Sequence, residues 1–364
     1  MGSLTELKEN IDWGLLLILA ALILCGFVTL FSATSLTHDT TFFKQLGWTG
    51  VGMAAMILII LFIDYRWLSK LAWPLYIIIV ILLIAVFGLG KEVMGAKRWI
   101  PLGFFNMQPS EFTKVIIIIW ISYWGSKKDS TLDYDFRDLL LPVIILIVPV
   151  TLIMLEPDLG TACLTGLLCV GMFLMLGIKK STLVKTGLII ICIMPLSWFL
   201  LKEYQRQRIL TFLNPELDPL GKGYHAIQSK IAVGSGGLSG KGFLHGTQTQ
   251  LKFLPEHHTD FIFSVIAEEW GFIGCAIIIV LYFLLASRII AIGLKTKDRF
   301  GAMLCFGIAM FISLHVFINI AMTMGMFPVV GVPLPFISYG GSFMLINLCC
   351  IGIVLSVSWR KSMF

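Results

Sequence analysis

The chain has 364 residues, 58% of them hydrophobic and 13% charged, with a mean hydropathy of +0.93 and a formal net charge of +6. So much apolar surface finds no room in a water-soluble core, which excludes a soluble globular enzyme and predicts an all-α polytopic membrane protein. The positive charge sits in loops beside apolar runs, so it reads as topology and lipid headgroup contact and carries no nucleic-acid footprint.

A bilayer is spanned by about 20 apolar residues of helix, and such runs recur near 13–33, 45–63, 71–89, 111–125, 139–155, 160–177, 184–201, 261–286, 300–324 and 341–358. About ten transmembrane helices are predicted, forming a single membrane domain over 1–364, with one long loop, 202–260, between the seventh and eighth. The first run is too long for a signal h-region and lacks a small-residue cleavage site, so it is expected to stay as a helix. Glu6 occupies the position where a myristoylation signal needs Ser or Thr. Of the 27 Lys and Arg residues, 15 fall on the side carrying both termini, 11 on the other, and Lys114 within a span. Seven of the 11 lie in the long loop, which counts little, so both termini are expected in the cytoplasm and the long loop outside. All eight cysteines fall in apolar runs, so neither a disulfide framework nor a cysteine metal site is expected.

Taken along the chain, the polar constellations cluster at the outer ends of spans. Lys97, Arg98 and Trp99 precede Gln108-Pro-Ser-Glu111-Phe-Thr-Lys114, where Pro109 and Ser110 start span four. Glu111 and Lys114, at i and i+3, share a face as an ion pair, either functional or locking two helices. Glu156-Pro-Asp158-Leu-Gly160 breaks spans five and six, with Asp158 a helix cap or a site residue. In the long loop, residues 203–213 show helical spacing of a short helix in the headgroup plane, on which Arg206 and Arg208 either grip phosphate or snorkel. Residues 233–242 form a Gly-rich turn tipped by Lys241. It fails as a P-loop at Ser235 and Gly242, leaving a backbone nest for a diphosphate or a plain flexible turn.

Glu256, His257, His258, Thr259 and Asp260 offer several metal-ligand types, but neighbours on an extended segment face opposite ways, which disfavours zinc. A hard divalent cation, Mg²⁺ or Mn²⁺, shared between Asp260 and substrate phosphates fits better. Asp260 sits where loop becomes helix, partly desolvated yet reachable from water, as catalytic carboxylates are. Capping of span eight by Asp260 or Thr259 is the competing role. Glu268 is expected to share a wet cavity with Asp260, and Glu269 to point away toward a neighbouring helix. His315 and Asn319, at i and i+4, read as an interhelical hydrogen-bonding pair. The Pro- and Gly-rich segment 322–342 cannot be a spanning helix.

Leu254 through Gly271, Gln108 through Phe112, Glu156 through Gly160 and Pro333 through Gly341 together resemble the SEDS family (shape, elongation, division, sporulation) over nearly the whole chain, in order. Asn319 through Pro328 and Ser264 through Glu269 look closer to the RodA branch than to its division paralogue FtsW. The resemblance implies a peptidoglycan glycosyltransferase that polymerises lipid II at the outer face of the bacterial cytoplasmic membrane, with a class B penicillin-binding protein and other elongation-complex membrane proteins as partners. It also implies an essential carboxylate at Asp260, here taken as general base. Arg98, Lys114, Arg208 and Lys241, with the divalent cation, are then expected to hold the diphosphate, and Glu111, Asp158 and His258 to line the substrate site. A flippase for the same lipid-linked precursor and a catalytically silent scaffold are the alternatives.

Overall fold

A computed structural model describes residues 11–35, 40–93, 96–101, 103, 106–127, 134–179, 181, 182, 184, 185, 187, 188, 192, 199, 203–214, 218, 221–251, 253, 254 and 256–360. In chain order these form α1 (Trp13–Thr34), α2 (Thr41–Phe62), α3 (Tyr65–Leu89), β1 (Lys91–Val93), β2 (Ala96–Pro101), β3 (Asn106–Met107), α4 (Pro109–Ser126), α5 (Phe136–Leu155), α6 (Leu159–Met175), α7 (Glu203–Leu213), α8 (Lys222–Ser235), α9 (Thr247–Gln250), α10 (Ile262–Leu294), α11 (Arg299–Thr323) and α12 (Gly341–Arg360). Seven helices, α1, α2, α3, α5, α10, α11 and α12, are long and apolar enough to cross a membrane. The chain is an all-α polytopic membrane protein.

Helices also stand at the expected fourth and sixth spans, but α4 carries Glu111 and Lys114 and α6 is only 17 residues long. The expected seventh span, 184–201, lies largely outside the described residues. Helix starts follow side-chain chemistry. Asp12, Asp64 and Asp298 cap α1, α3 and α11 by accepting from backbone N–H groups one to two residues into each helix, which satisfies donors that have no intrahelical partner.

The core is built on α4, α11 and α12. The most apolar stretch of α12 is 83% buried and that of α11 67%, against 28% for α2, α3, α5 and α10, whose remaining apolar faces are left for lipid. Helix α12 packs along α2, α10 along α11 and α1, and α4 against α3 and α11. Small residues permit the close crossings, since a Cβ on Gly52 would run into Leu348 and one on Gly26 into the backbone at Phe336.

Three features depart from the sequence reading. The loop 88–110 contains an antiparallel sheet in the order β1-β2-β3. The long loop holds α8 and α9 besides the expected α7. Helix α10 is broken at Gly271 (φ 64°, ψ −159°), which detaches a short first segment, Ile262 to Trp270. As expected, residues between 326 and 340 are non-helical.

Candidate active site

Asp260 is half-buried in the turn that ends at α10. The N-cap position of α10 is Phe261, which makes no side-chain cap bond, so it falls on neither Asp260 nor Thr259. The backbone around Asp260 is held from outside. Three consecutive carbonyls each accept a hydrogen bond: His258 from the Tyr339 N–H (2.9 Å), Thr259 from the Ser338 hydroxyl, and Asp260 from Asn319 Nδ2 (2.8 Å). Asn319 Nδ2 also donates to the Val332 carbonyl (2.7 Å), so one buried amide joins α11, the Asp260 turn and the Pro-rich tail loop. A Cβ on Gly331 (φ 74°) would stand 3.2 Å from the Asp260 carboxylate, which places that loop directly beside it.

One helical turn from Asn319 on α11, His315 meets the buried pair on α4. Lys114 Nζ donates to both Glu111 carboxylate oxygens (2.7 and 2.8 Å) and lies 3.0 Å from His315 Nε2. His315 Nδ1 lies 2.8 Å from the Phe311 carbonyl, which can only accept. Nδ1 therefore carries the proton and Nε2 accepts from Lys114. His315 and Asn319 both bond between elements as expected, though to separate partners. The three protons of Lys114 are thus matched by Glu111 and His315 below the Asp260 tier, and Lys114 is only 1% exposed.

At the edge of this tier the α5–α6 turn meets β2 and the start of α4. Asp158 caps α6 by accepting from the Thr161 N–H (3.2 Å) and hydroxyl (3.0 Å), and also accepts from Gln108 Nε2 (3.3 Å). Arg98 donates to the carbonyls of Glu156 and Pro157. Gly160 lets α6 approach the Val330 carbonyl, next to Gly331. Glu156, which the sequence reading left without a role, is buried, and among the described residues neither carboxylate oxygen has a hydrogen-bond partner. Burial, with a smaller push from Asp158 and against the pull of Arg98, raises its pKa to about 8.

The Gly-rich turn is neither a phosphate nest nor a flexible turn. At the Gly271 break, Lys241 N–H and Gly242 N–H donate to the carbonyls of Glu268 and Glu269 (3.0 Å each), while the N–H groups of Phe272 and Ile273 donate to Gly237 and Leu238 (2.9 and 3.2 Å). The turn thereby replaces the helical partners lost at the break. A Cβ on Gly236 or Gly240 would collide with the backbone of Ala267 or Glu269, so the glycines serve close approach. Lys241 Nζ donates to Glu268 Oε1 (2.7 Å), which also accepts from the Thr247 hydroxyl and the Gln248 N–H (3.0 Å each). Glu268 is thus bound into this clamp, where the sequence reading gave it a cavity shared with Asp260. Glu269 accepts from Ser32 on α1, a neighbouring helix as expected.

Zinc at residues 256–260 is not supported. Both ring nitrogens of His257 face carbonyls, those of Leu254 (2.8 Å) and Ala33 (3.0 Å), and among the described residues no three His, Cys, Asp or Glu side chains converge. The His258 ring lies 6.0 Å from that of Tyr339. Arg208 lines a pocket with Lys230 of α8. Lys230 is a cation the sequence offered no signal for, because its position depends on how α8 docks.

The family described as cell cycle protein, which covers FtsW, RodA and SpoVE, matches residues 12–363. The peptidoglycan glycosyltransferase MrdB of Escherichia coli K12 is 38% identical over 358 residues, covering 98% of this chain and 95% of the relative. A probable peptidoglycan glycosyltransferase FtsW of Trichlorobacter lovleyi is 39% identical over 358 residues, covering 95% and 93%. Among solved structures, a chain of a peptidoglycan synthase complex that coordinates polymerization and crosslinking superposes with a TM-score of 0.83 at 31% identity, covering 97% of this chain and 99% of the other. The rod shape determining protein RodA of Thermus thermophilus superposes with a TM-score of 0.72 at 28% identity, covering 97% and 98%.

Proposed function

We infer that this chain, which belongs to the FtsW/RodA/SpoVE family of cell cycle proteins, is a peptidoglycan glycosyltransferase of the RodA branch that polymerises lipid II during cell elongation. The observation that carries the mechanism is the placement of Asp260: a half-buried aspartate whose backbone is held by three successive carbonyl bonds from two other elements. Pre-positioning of this kind is what a general base requires.

Asp260 takes the proton from the GlcNAc 4-hydroxyl of the acceptor. The oxygen bonds to the donor MurNAc anomeric carbon from the face opposite the leaving group, the bond from that carbon to the diphosphate oxygen breaks, and configuration inverts. Undecaprenyl diphosphate departs as an anion, and its negative charge needs stabilising. A divalent cation, Mg²⁺ or Mn²⁺, would supply part of that neutralisation. Asp260 would hold it, with substrate phosphates giving the remaining ligands.

The active site faces outside the cytoplasmic membrane, both termini lie in the cytoplasm, and a class B penicillin-binding protein and other elongation-complex membrane proteins are the partners. The relatedness to a synthase-complex chain supports the first of these partners. The test is polymerisation of lipid II by the purified protein with its partner synthase, with Mg²⁺ or with chelator. Asp260→Asn should make no glycan, and chelator should slow the wild type. Normal-rate polymer from Asp260→Asn would end this reading and favour a scaffold.

A further inference from the structure

Beside Asp260 lies a pocket that combines two cations with an apolar wall: Arg208 and Thr211 from α7, Ala226 and Lys230 from α8, and Phe327 and Pro328 from the tail loop. Helix α8 is docked so that Lys230 must face it. The His225 ring stacks on Phe261, beside Asp260, at 6.3 Å and 29°. Ser229 Oγ donates to the Thr323 carbonyl (2.7 Å), so the Ser264 hydroxyl, 2.7 Å away, donates to Ser229. These contacts fix the 225/229 face against α10 and the end of α11. Ala226 and Lys230, one position further on, are then turned about 100° into the pocket. Gly325 (φ 70°) completes the seat, because the Lys230 stem occupies the space a Cβ there would need and holds Nζ 2.6 Å from that point.

We propose that this pocket is the donor diphosphate subsite, an assignment that rests on the glycosyltransferase reading above. Arg208 and Lys230 bind the two phosphates, and Phe327 and Pro328 pack against the first isoprene units of the lipid. The choice of donor over acceptor follows from distance. Val329 lines the pocket and is two residues, within about 7 Å, of Gly331, whose Cβ position is 3.2 Å from the Asp260 carboxylate. In the donor, the diphosphate is bonded to the anomeric carbon under attack, and the attacking oxygen, held by Asp260, is about 3 Å from that carbon. In the acceptor, a whole disaccharide separates the diphosphate from the reacting hydroxyl. Only the donor's phosphates come this near the base. As the anomeric carbon–oxygen bond breaks, its electron pair stays on the diphosphate, where the two cations meet it.

The experiment couples two half-blind substrates on the protein with its partner synthase. One is lipid II lacking the GlcNAc 4-hydroxyl, which can donate but not accept; the other is lipid II with a phosphonate in place of the anomeric oxygen, which can accept but not donate. Lys230→Met and Arg208→Met are each expected to raise the KM for the donor about tenfold and to leave the acceptor KM within twofold, with Lys230→Arg close to wild type. Gly325→Ala, which displaces Lys230, should raise the donor KM likewise. Unchanged donor KM in folded Lys230→Met and Arg208→Met, or a rise confined to the acceptor, would overturn the assignment. The reaction is run in phosphatidylcholine and in phosphatidylglycerol nanodiscs. A Lys230→Met effect present only with phosphatidylglycerol would give the pocket to a lipid headgroup and also overturn it. Asp260→Asn separates the two levels: glycan made by that variant defeats the enzyme reading itself, whereas a dead Asp260→Asn with unmoved donor KM in the pocket variants defeats the subsite alone.

Discussion

Replacing Asn319 with leucine tests whether the catalytic carboxylate is positioned through its backbone. Asn319 is fully buried, and its amide donates to the Asp260 and Val332 carbonyls at 2.8 and 2.7 Å. Leucine is close in size but has no donor, so both carbonyls lose their partner at about 1–3 kcal/mol each, or about 2–6 kcal/mol together. The turn can recover part of that only by moving toward water or another donor. A shift of about 1 Å at a reacting group costs about a hundredfold in rate. Asn319→Leu is therefore expected to lower kcat about a hundredfold with lipid II KM within about threefold of wild type, and to lower the melting temperature in detergent. Asn319→Asp, isosteric but without the N–H donors, should behave the same way. Wild-type kcat in a folded Asn319→Leu protein would show that the pinned carbonyls do not set the Asp260 geometry.

The clamp at the Gly271 break predicts that Lys241→Met lowers melting temperature and kcat together while donor KM stays unchanged, a pattern that a phosphate-binding lysine would not give. Gly240→Ala, at φ 78° with the Glu269 carbonyl against it, should be as harmful to melting temperature as Lys241→Met or more so. Lys114→Met leaves Glu111 buried without its cation and should cost about 3–5 kcal/mol; the double variant Glu111→Gln/Lys114→Met should recover much of the melting temperature, and failure to recover would mean that His315 needs the ammonium itself. Glu156 has a folded-state pKa near 8, above the ordinary carboxylate value of 4.5. Its neutral form is favoured by folding, so the contribution is whole below about pH 4.5 and is lost as pH rises through 8. Glu156→Gln should accordingly flatten the decline of melting temperature between about pH 4.5 and 8, and an unchanged decline would mean that the buried carboxyl is not what titrates.

Apolar runs of bilayer length marked the seven membrane-long helices of the described residues, because in lipid a backbone must satisfy its own hydrogen bonds and helices are the available answer. The acid at the loop-to-helix junction, the i, i+3 pair of Glu111 and Lys114, and the Pro- and Gly-rich segment that cannot be a helix were equally legible, since each is a local fact of spacing or residue type. What the sequence alone could not decide is which partners those residues have. Gly236 and Gly240 read locally as a turn that could cradle phosphate, yet the nearest unpaired backbone groups are those exposed where α10 breaks 30 residues later, and only the folded chain brings the two together. Lys241 and Glu268 neutralise one another for the same reason. Lys230 is an unremarkable lysine until Ser229 and His225 dock its helix beside Asp260. Local chemistry set which side chains can carry charge into the membrane domain, and long-range packing set which are bound to each other and which face the reacting atoms.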